Sequence, residues 1–310
     1  MPGPSDDMVA LPGGRFRMGS DRHYAEEAPV RWQEVAPFRI DRTPVTNRAF
    51  AAFVQATGHV TVAEQAPDPA LYPGVDPARL RPGGLVFGAR KGVARPRHWS
   101  DWWRYVQGAQ WRKPQGEASV YRGRLDHPVV QVAHADALAY ARWAGKDLPT
   151  EAEFEYAARG GLDGATYAWG DDRRPGGRIM ANHWTGSFPQ APAAEHGFRG
   201  TSPVGSFPAN DFGLHDLIGN VWEWTKDYWK GSHDAAACCG IDPAVASRDP
   251  DLPGISLPRR VVKGGSHLCH ESYCDRYRPA ARQPQMEDTA TSHIGFRCVV
   301  RDAAGAVANG

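Results

Sequence analysis

Thirty-four glycines and 26 prolines are spread along the 310 residues without gathering into any one stretch. Glycine frees the backbone and proline removes a donor and breaks interior ladders, so a chain punctuated this often cannot build many long helices or strands. The same spread leaves no Ser-, Gly- or charge-rich run to serve as a linker between two halves of different composition. Residues 1–310 therefore read as one loop-rich domain of α+β class with little regular secondary structure. The irregularity has to be compensated by packing, and the means are present: 41% hydrophobic residues, with 11 Trp, 10 Tyr and 11 Phe. Each aromatic ring removes a large apolar area from water, enough together for a core that needs no partner chain. A monomer is expected.

A formal net charge of +1 gives no basic excess with which to bind nucleic acid or an anionic membrane. Met1 to Ala10 lack the basic start and apolar run of a secretory signal, and no stretch of about 18 apolar residues occurs. Five cysteines are few and odd in number for a disulfide framework, so reduced thiols in the cytoplasm are expected.

Local signals place several elements. Met8 to Gly19 reads as strand, Pro-Gly-Gly turn and strand, a hairpin with Phe16 and Met18 on one face. Thr46 is placed to cap a helix bearing Phe50, Phe53 and Val54, closed by a left-handed Gly58. A second helix follows Asp136, with Ala139, Tyr140 and Trp143 inward and Gly145 at its end. A third starts at the capping box formed by Thr150 and Glu153 and ends at Gly160-Gly161. From Ala66 to Gly123 the periodicity is weak, and Trp99, Trp102, Trp103 and Trp111 mark an irregular excursion whose indoles either staple it to the core or form a wall for a peptide. Period two in Gly219 to Trp224 sets Trp222 and Trp224 on one face and Val221 and Glu223 on the other. Gly295 to Val300 reads as a closing core strand.

The chemistry concentrates in Gly264-Gly265-Ser266-His267-Leu268-Cys269-His270-Glu271-Ser272-Tyr273-Cys274. On a straight strand the two cysteines would face opposite ways, so a shared ligand requires a bend, which the upstream glycines permit. Two thiols brought together close a disulfide, hold a soft metal or exchange with an incoming thiol. Zinc, with His267 or His270 added, would want a second ligand pair that is not evident, whereas cuprous copper is satisfied by two thiolates. Cys298 reads as a buried hydrophobe and the vicinal Cys238-Cys239 as a tolerated pair.

The run KGGSHLCHESYCDRYRPAARQPQMEDTATSHIGFRC, from Lys263 to Cys298, resembles the signature of the formylglycine-generating enzymes, or sulfatase-modifying factors. The resemblance extends through GNVWEW (Gly219 to Trp224), LPTEAEFEYAARGG (Leu148 to Gly161), HPVVQV (His127 to Val132) and LPGGRFRMGS (Leu11 to Ser20). It implies a C-type-lectin-like fold and an oxidase that uses dioxygen and a thiol reductant to convert the cysteine of a Cys-x-Pro-x-Arg sulfatase segment to Cα-formylglycine. It further implies Cys269 and Cys274 as Cu(I) ligands, with Cys274 also able to capture the substrate cysteine. Ser266, Tyr273 and Trp222 then line an oxygen pocket. Structural Ca²⁺ would fall at Asp216, Glu223 and the carbonyls of Gly219 and Val221, with a second ion at Asn182, where His196 stands in place of a common aspartate.

Two other classes share the scaffold. A lectin-like binding paralogue has no need of two close thiols. An iron-dependent sulfoxide synthase needs a histidine triad and further helical sequence, and no His-x₃-His-x-Glu pattern occurs.

Overall fold

The computed structural model describes residues 7–88, 101–116, 121–233 and 240–301. Trp99 and the Cys238-Cys239 pair lie outside these. In chain order the elements are β1 (Met8–Leu11), β2 (Gly14–Met18), β3 (Arg31–Val35), β4 (Phe38–Asp41), α1 (Asn47–Thr57), β5 (Gly83–Phe87), β6 (Trp103–Gln107), α2 (His134–Trp143) and α3 (Glu151–Arg159). There follow β7 (Gly186–Ser187), β8 (Ala191–Pro192), β9 (Trp222–Tyr228), α4 (Pro243–Ala246), β10 (Arg259–Lys263), β11 (Arg282–Met286), β12 (Ile294–Gly295) and β13 (Val299–Val300). Long connections separate short elements, as the glycine and proline load requires.

The helix ends form as their capping chemistry dictates. Thr46 accepts from the Ala49 amide and Gly58 closes α1 at φ 70°. Thr150 and Glu153 cap α3 reciprocally, and Gly160 ends it in the left-handed region. Each such cap is worth about 1 kcal/mol. In α2 Asp136 lies inside the first turn, accepting from the Ala133 amide, and Tyr140 is buried.

Strand pairing departs from the local reading at three places. β1 and β2 are not a hairpin: β1 pairs with β4, β2 with β3. The backbone leaves Gly13 at φ 69°, where a Cβ would sit 2.3 Å from the Val35 carbonyl, so the turn delivers the two strands to separate sheets. The expected closing strand at Gly295 to Val300 is two strands, β12 against β9 and β13 against β4, divided by Phe296 to Cys298. The Ala66 to Gly123 excursion contains a regular ribbon, β5 antiparallel to β6, with Phe87 opposite Trp103 and Leu85 opposite Tyr105.

One core unites these pieces. Phe50 of α1 contacts Trp111, Tyr140 of α2 and Phe296 at centroid distances of 5.2, 6.0 and 6.3 Å. The four-stranded sheet, in order β11-β10-β9-β12, lies beside it, with α3 packed on β10 and β9. β10 ends at Lys263, whose buried ammonium lies 2.9 Å from Glu155 of α3 and 3.3 Å from the Ala280 carbonyl. The next residues are Gly264 and Gly265, so the sheet aims the chain directly into the cysteine segment.

Candidate active site

The bend required by two cysteines five residues apart is present. Gly264 and Gly265 have φ of 90° and 73°, and a Cβ on Gly265 would meet the Arg276 carbonyl at 2.5 Å. The entering and returning legs of the loop therefore touch backbone to backbone, which only glycine allows. Between them the Cys269 amide donates to the Ser266 carbonyl, and the Tyr273 and Cys274 amides both donate to the His270 carbonyl. The resulting turn sets Cys269 Sγ 3.4 Å from Cys274 Sγ, with both thiols free of any disulfide.

The two sulfurs differ. Cys269 is 1% exposed; burial, and next the adjacent Cys274, push its thiol well up. Cys274 is partly exposed, and the hydrogen bond from Cys269, outweighing burial and helped by the nearby Arg276 guanidinium, brings its thiol down to about 7. Arg276 Nη1 stands 3.8 Å from that sulfur, held by Glu26 at 2.7 Å and stacked on Tyr24 at 3.6 Å. The pair thus contains one thiol poised as a thiolate near neutral pH and one that stays protonated until its proton is displaced.

Ser266 is fully buried beside Cys269: its amide points at Cys269 Sγ at 3.4 Å, and its Oγ accepts from the Leu268 amide at 3.2 Å. Tyr273 is 57% exposed. Its ring stacks on Phe188 at 5.3 Å and meets Trp102 edge-on at 4.0 Å, and Phe188 continues to Phe87 at 6.0 Å. An aromatic surface therefore leads away from the partly exposed Cys274. Among the described contacts Trp222 does not belong to it: on β9 it lines a cavity of about 200 Å³ with Leu85, Trp103, Val262 and His293. Tyr24 and Glu26, about 250 residues upstream, and Phe188 carry no local signal of this role; Arg276, two residues after Cys274, is a legible cation beside a thiol.

A soft two-donor ion fits this arrangement. Among the described residues no group of three or more His, Cys, Asp or Glu side chains converges as a metal site, so the four ligands of a structural zinc are not assembled there. Two close thiols, one readily ionised, are the donor set that selects cuprous copper.

The hard-ion positions divide. Asn182 is 1% exposed and its Oδ1 has no hydrogen-bond partner among the described groups, as an oxygen donor for calcium would be. His196 Nε2 faces the His183 carbonyl at 2.8 Å. That carbonyl accepts a proton, so Nε2 donates and is not a ligand. Glu223 has both oxygens on the Arg297 guanidinium, at 2.8 Å each, a buried bidentate pair that supplies the positive charge a cation would bring. Asp216 accepts from the Gly205 amide and from Asn220, whose own amide oxygen in turn faces Asn182. The Glu223 carboxylate thus serves Arg297, while Asn182 and Asp216 join one network through Asn220.

A loop-rich α+β scaffold presenting two adjacent free thiols defines a dithiol site built on a C-type-lectin-like frame. The sulfatase-modifying factor enzyme 1-like domain matches residues 2–302. The formylglycine-generating enzyme of Mycobacterium tuberculosis is 56% identical over 96% of this chain and 99% of its own length. That of Thermomonospora curvata is 48% identical over 94% and 92%. PvdO from Pseudomonas aeruginosa shares the fold, with a TM-score of 0.60 at 25% identity over 97% of each chain. The chain belongs to the formylglycine-generating enzyme family. The family includes a Bos taurus relative described as inactive, 39% identical over 96% of this chain and 88% of its own, so membership leaves the reaction to be argued from the site.

Proposed function

We propose that this protein is a copper-dependent oxidase that converts the cysteine of a Cys-x-Pro-x-Arg segment in sulfatase polypeptides to Cα-formylglycine. The observation that carries the reading is the 3.4 Å separation of two free thiols, one buried and one opening onto an aromatic surface. The overall change balances as substrate CH₂–SH plus dioxygen plus two electrons and two protons from a thiol reductant, giving the aldehyde, hydrogen sulfide and water.

Cys269 and Cys274 would hold Cu(I), which when bound supplies soft coordination for the substrate thiolate and electrons for dioxygen. The residues do the rest. Cys274 ionises near neutrality, so it is the sulfur that meets an incoming thiol without a separate base. Cys269, held protonated by burial, keeps its proton until the ion takes its place. Ser266 Oγ accepts from the Leu268 amide and donates in none of the described bonds, which leaves its proton available for an oxygen species. Tyr273 flanks the same space from the exposed side, and we place Trp222 as a support of the sheet behind it. Structural calcium belongs to the proposal at two positions, one at Asp216 with the carbonyls of Gly219 and Val221, and a second at Asn182. We also propose a monomer in the cytoplasm, where thiols stay reduced; no helix among the described residues is long and apolar enough to cross a membrane.

Copper-loaded protein incubated with a Cys-x-Pro-x-Arg peptide, oxygen and a thiol should yield aldehyde by mass spectrometry, and Cys269→Ser and Cys274→Ser should not. Turnover persisting in either variant overturns the site; product formed without copper overturns the cofactor.

A further inference from the structure

A cavity of about 360 Å³ adjoins the cysteine turn through Leu268, the residue before Cys269. Trp184 lines it as well: its amide donates to the Cys269 carbonyl at 3.0 Å, and its ring meets Phe188 at 5.2 Å and Phe87 at 6.0 Å. The cavity therefore borders the aromatic surface that runs to Tyr273 beside Cys274, and its volume is that of a small-molecule site. The reaction described above gives it no part.

Its lining carries charge of one sign. Arg124 and Arg199 line it, no Asp or Glu does, and neither arginine has an ion pair among the described residues. Two further polar atoms of the lining residues are buried without a hydrogen-bond partner, Asn47 Oδ1 and Trp184 Nε1. Asn47 is 5% exposed, and its Nδ2 is spent on the Arg124 carbonyl at 2.9 Å, so the oxygen is the free end of that amide. A stranded buried acceptor and a stranded buried donor both cost free energy until a ligand pairs them. The complement of this wall is a molecule with carboxylates for the guanidiniums and the indole N–H, and an ammonium or amide N–H for Asn47. That is the chemistry of an amino acid or a short peptide.

We propose that this cavity docks the electron donor, a low-molecular-weight thiol that carries carboxylate and ammonium groups. This rests on the proposed function, in which two electrons and two protons come from a thiol reductant. Two molecules RSH supply them and leave as the disulfide RSSR. Arg124, Arg199, Asn47 and Trp184 hold the polar end, while the sulfur end lies toward the aromatic surface that reaches Cys274.

Binding is read without redox chemistry by calorimetric titration of the copper-free protein with S-methylglutathione, a thioether with two carboxylates and one ammonium. Saturable one-to-one binding is expected, with the dimethyl ester about tenfold or more weaker, as the loss of charge-assisted bonds implies. Arg124→Gln with Arg199→Gln, both at exposed positions, should bring S-methylglutathione to the level of the ester without a change in melting temperature. In copper-loaded protein at subsaturating thiol, the ratio of aldehyde formed with glutathione to that formed with the uncharged dithiothreitol should fall about tenfold in the same double variant. Absence of saturable binding, an affinity that the double variant retains, or an unchanged ratio overturns the inference. The oxidase reading fails separately: copper-loaded wild type that binds S-methylglutathione as described yet forms no aldehyde with dithiothreitol sinks that reading.

Discussion

The turn carrying Cys269 and Cys274 and the segment that follows it, Arg276 to Arg282, adjoin in sequence but are held by different forces. The turn depends on a few local backbone bonds, with Ser272 paired to its neighbour His270 and Glu271 to Arg173 on the surface. The following segment is fixed by buried charge. Arg278 grips Glu27 through two bonds of 2.6 and 2.8 Å, and Arg282 grips Glu151 at 2.6 and 3.0 Å. Lys263, on the entering side, is paired with Glu155 at 2.9 Å. Ion pairs of this kind are poor sources of net stability but tolerate little displacement, because an unpartnered buried charge is costly. The anchoring charges therefore set where the turn begins and ends, and leave the sulfurs able to adjust to what they bind.

The contrast is broken most severely from the turn's side in function and from the anchor's side in folding. Cys274→Ser should abolish aldehyde formation, a loss of about a thousandfold or more as expected when a group acting directly on the reacting atoms is removed, yet shift the urea midpoint little, since the residue is only partly buried and the change is nearly isosteric. Glu27→Gln should do the reverse. Stranding Arg278 in a fully buried position should cost about 3–5 kcal/mol in urea denaturation, while folded molecules at low temperature keep measurable turnover. If both variants lost stability equally, the division between a soft turn and a rigid anchor would be wrong.

Gly265→Ala tests the seam between the two regions. Its φ of 73° and the 2.5 Å approach to the Arg276 carbonyl leave no room for a methyl. A cost of about 1–3 kcal/mol is expected from the backbone strain, together with slower turnover as the returning leg moves away. A stability loss without a change in turnover would show that the legs can part without separating the sulfurs.

How much of this was legible follows from how local each signal is. Thr46 with Gly58, and Thr150 with Glu153 and Gly160, specify helix ends within a few residues, and the structure has them. The meeting of Cys269 and Cys274 was also readable, since a five-residue spacing after two glycines admits few solutions. Strand partners were not: Met8–Leu11 and Gly14–Met18 look like strands in any sheet, and their partners are chosen by residues 31 to 41. Gly83–Phe87 lacks clean alternation because two glycines lead into three consecutive apolar residues, Leu85, Val86 and Phe87, which hid the ribbon. The partner of Glu223 is Arg297, 74 residues away, and nothing near GNVWEW announces it. Tyr24 and Glu26 reach the thiols through Arg276 from the far end of the chain, for the same reason.

The smallest expected effect concerns the two sulfurs themselves. With the Cys274 thiol at about 7, its thiolate is scarce below pH 6 and predominant above pH 8, so alkylation of the metal-free protein by iodoacetamide should rise through neutrality and level off. Cys298 should stay unmodified across that range, because burial, and next the nearby Asp41, hold its thiol protonated and the chain seals it from the reagent. Since the Cys269 hydrogen bond is the largest cause of the lowering, Cys269→Ala should move the midpoint of the Cys274 profile to higher pH and lower its rate at pH 7 by a fraction of a decade to about one decade. Peptide mapping of the modified thiols at several pH values measures both. A Cys274 profile unaffected by Cys269→Ala would assign the lowering to Arg276 instead, and the anchored segment would then control the chemistry of the turn as well as its position.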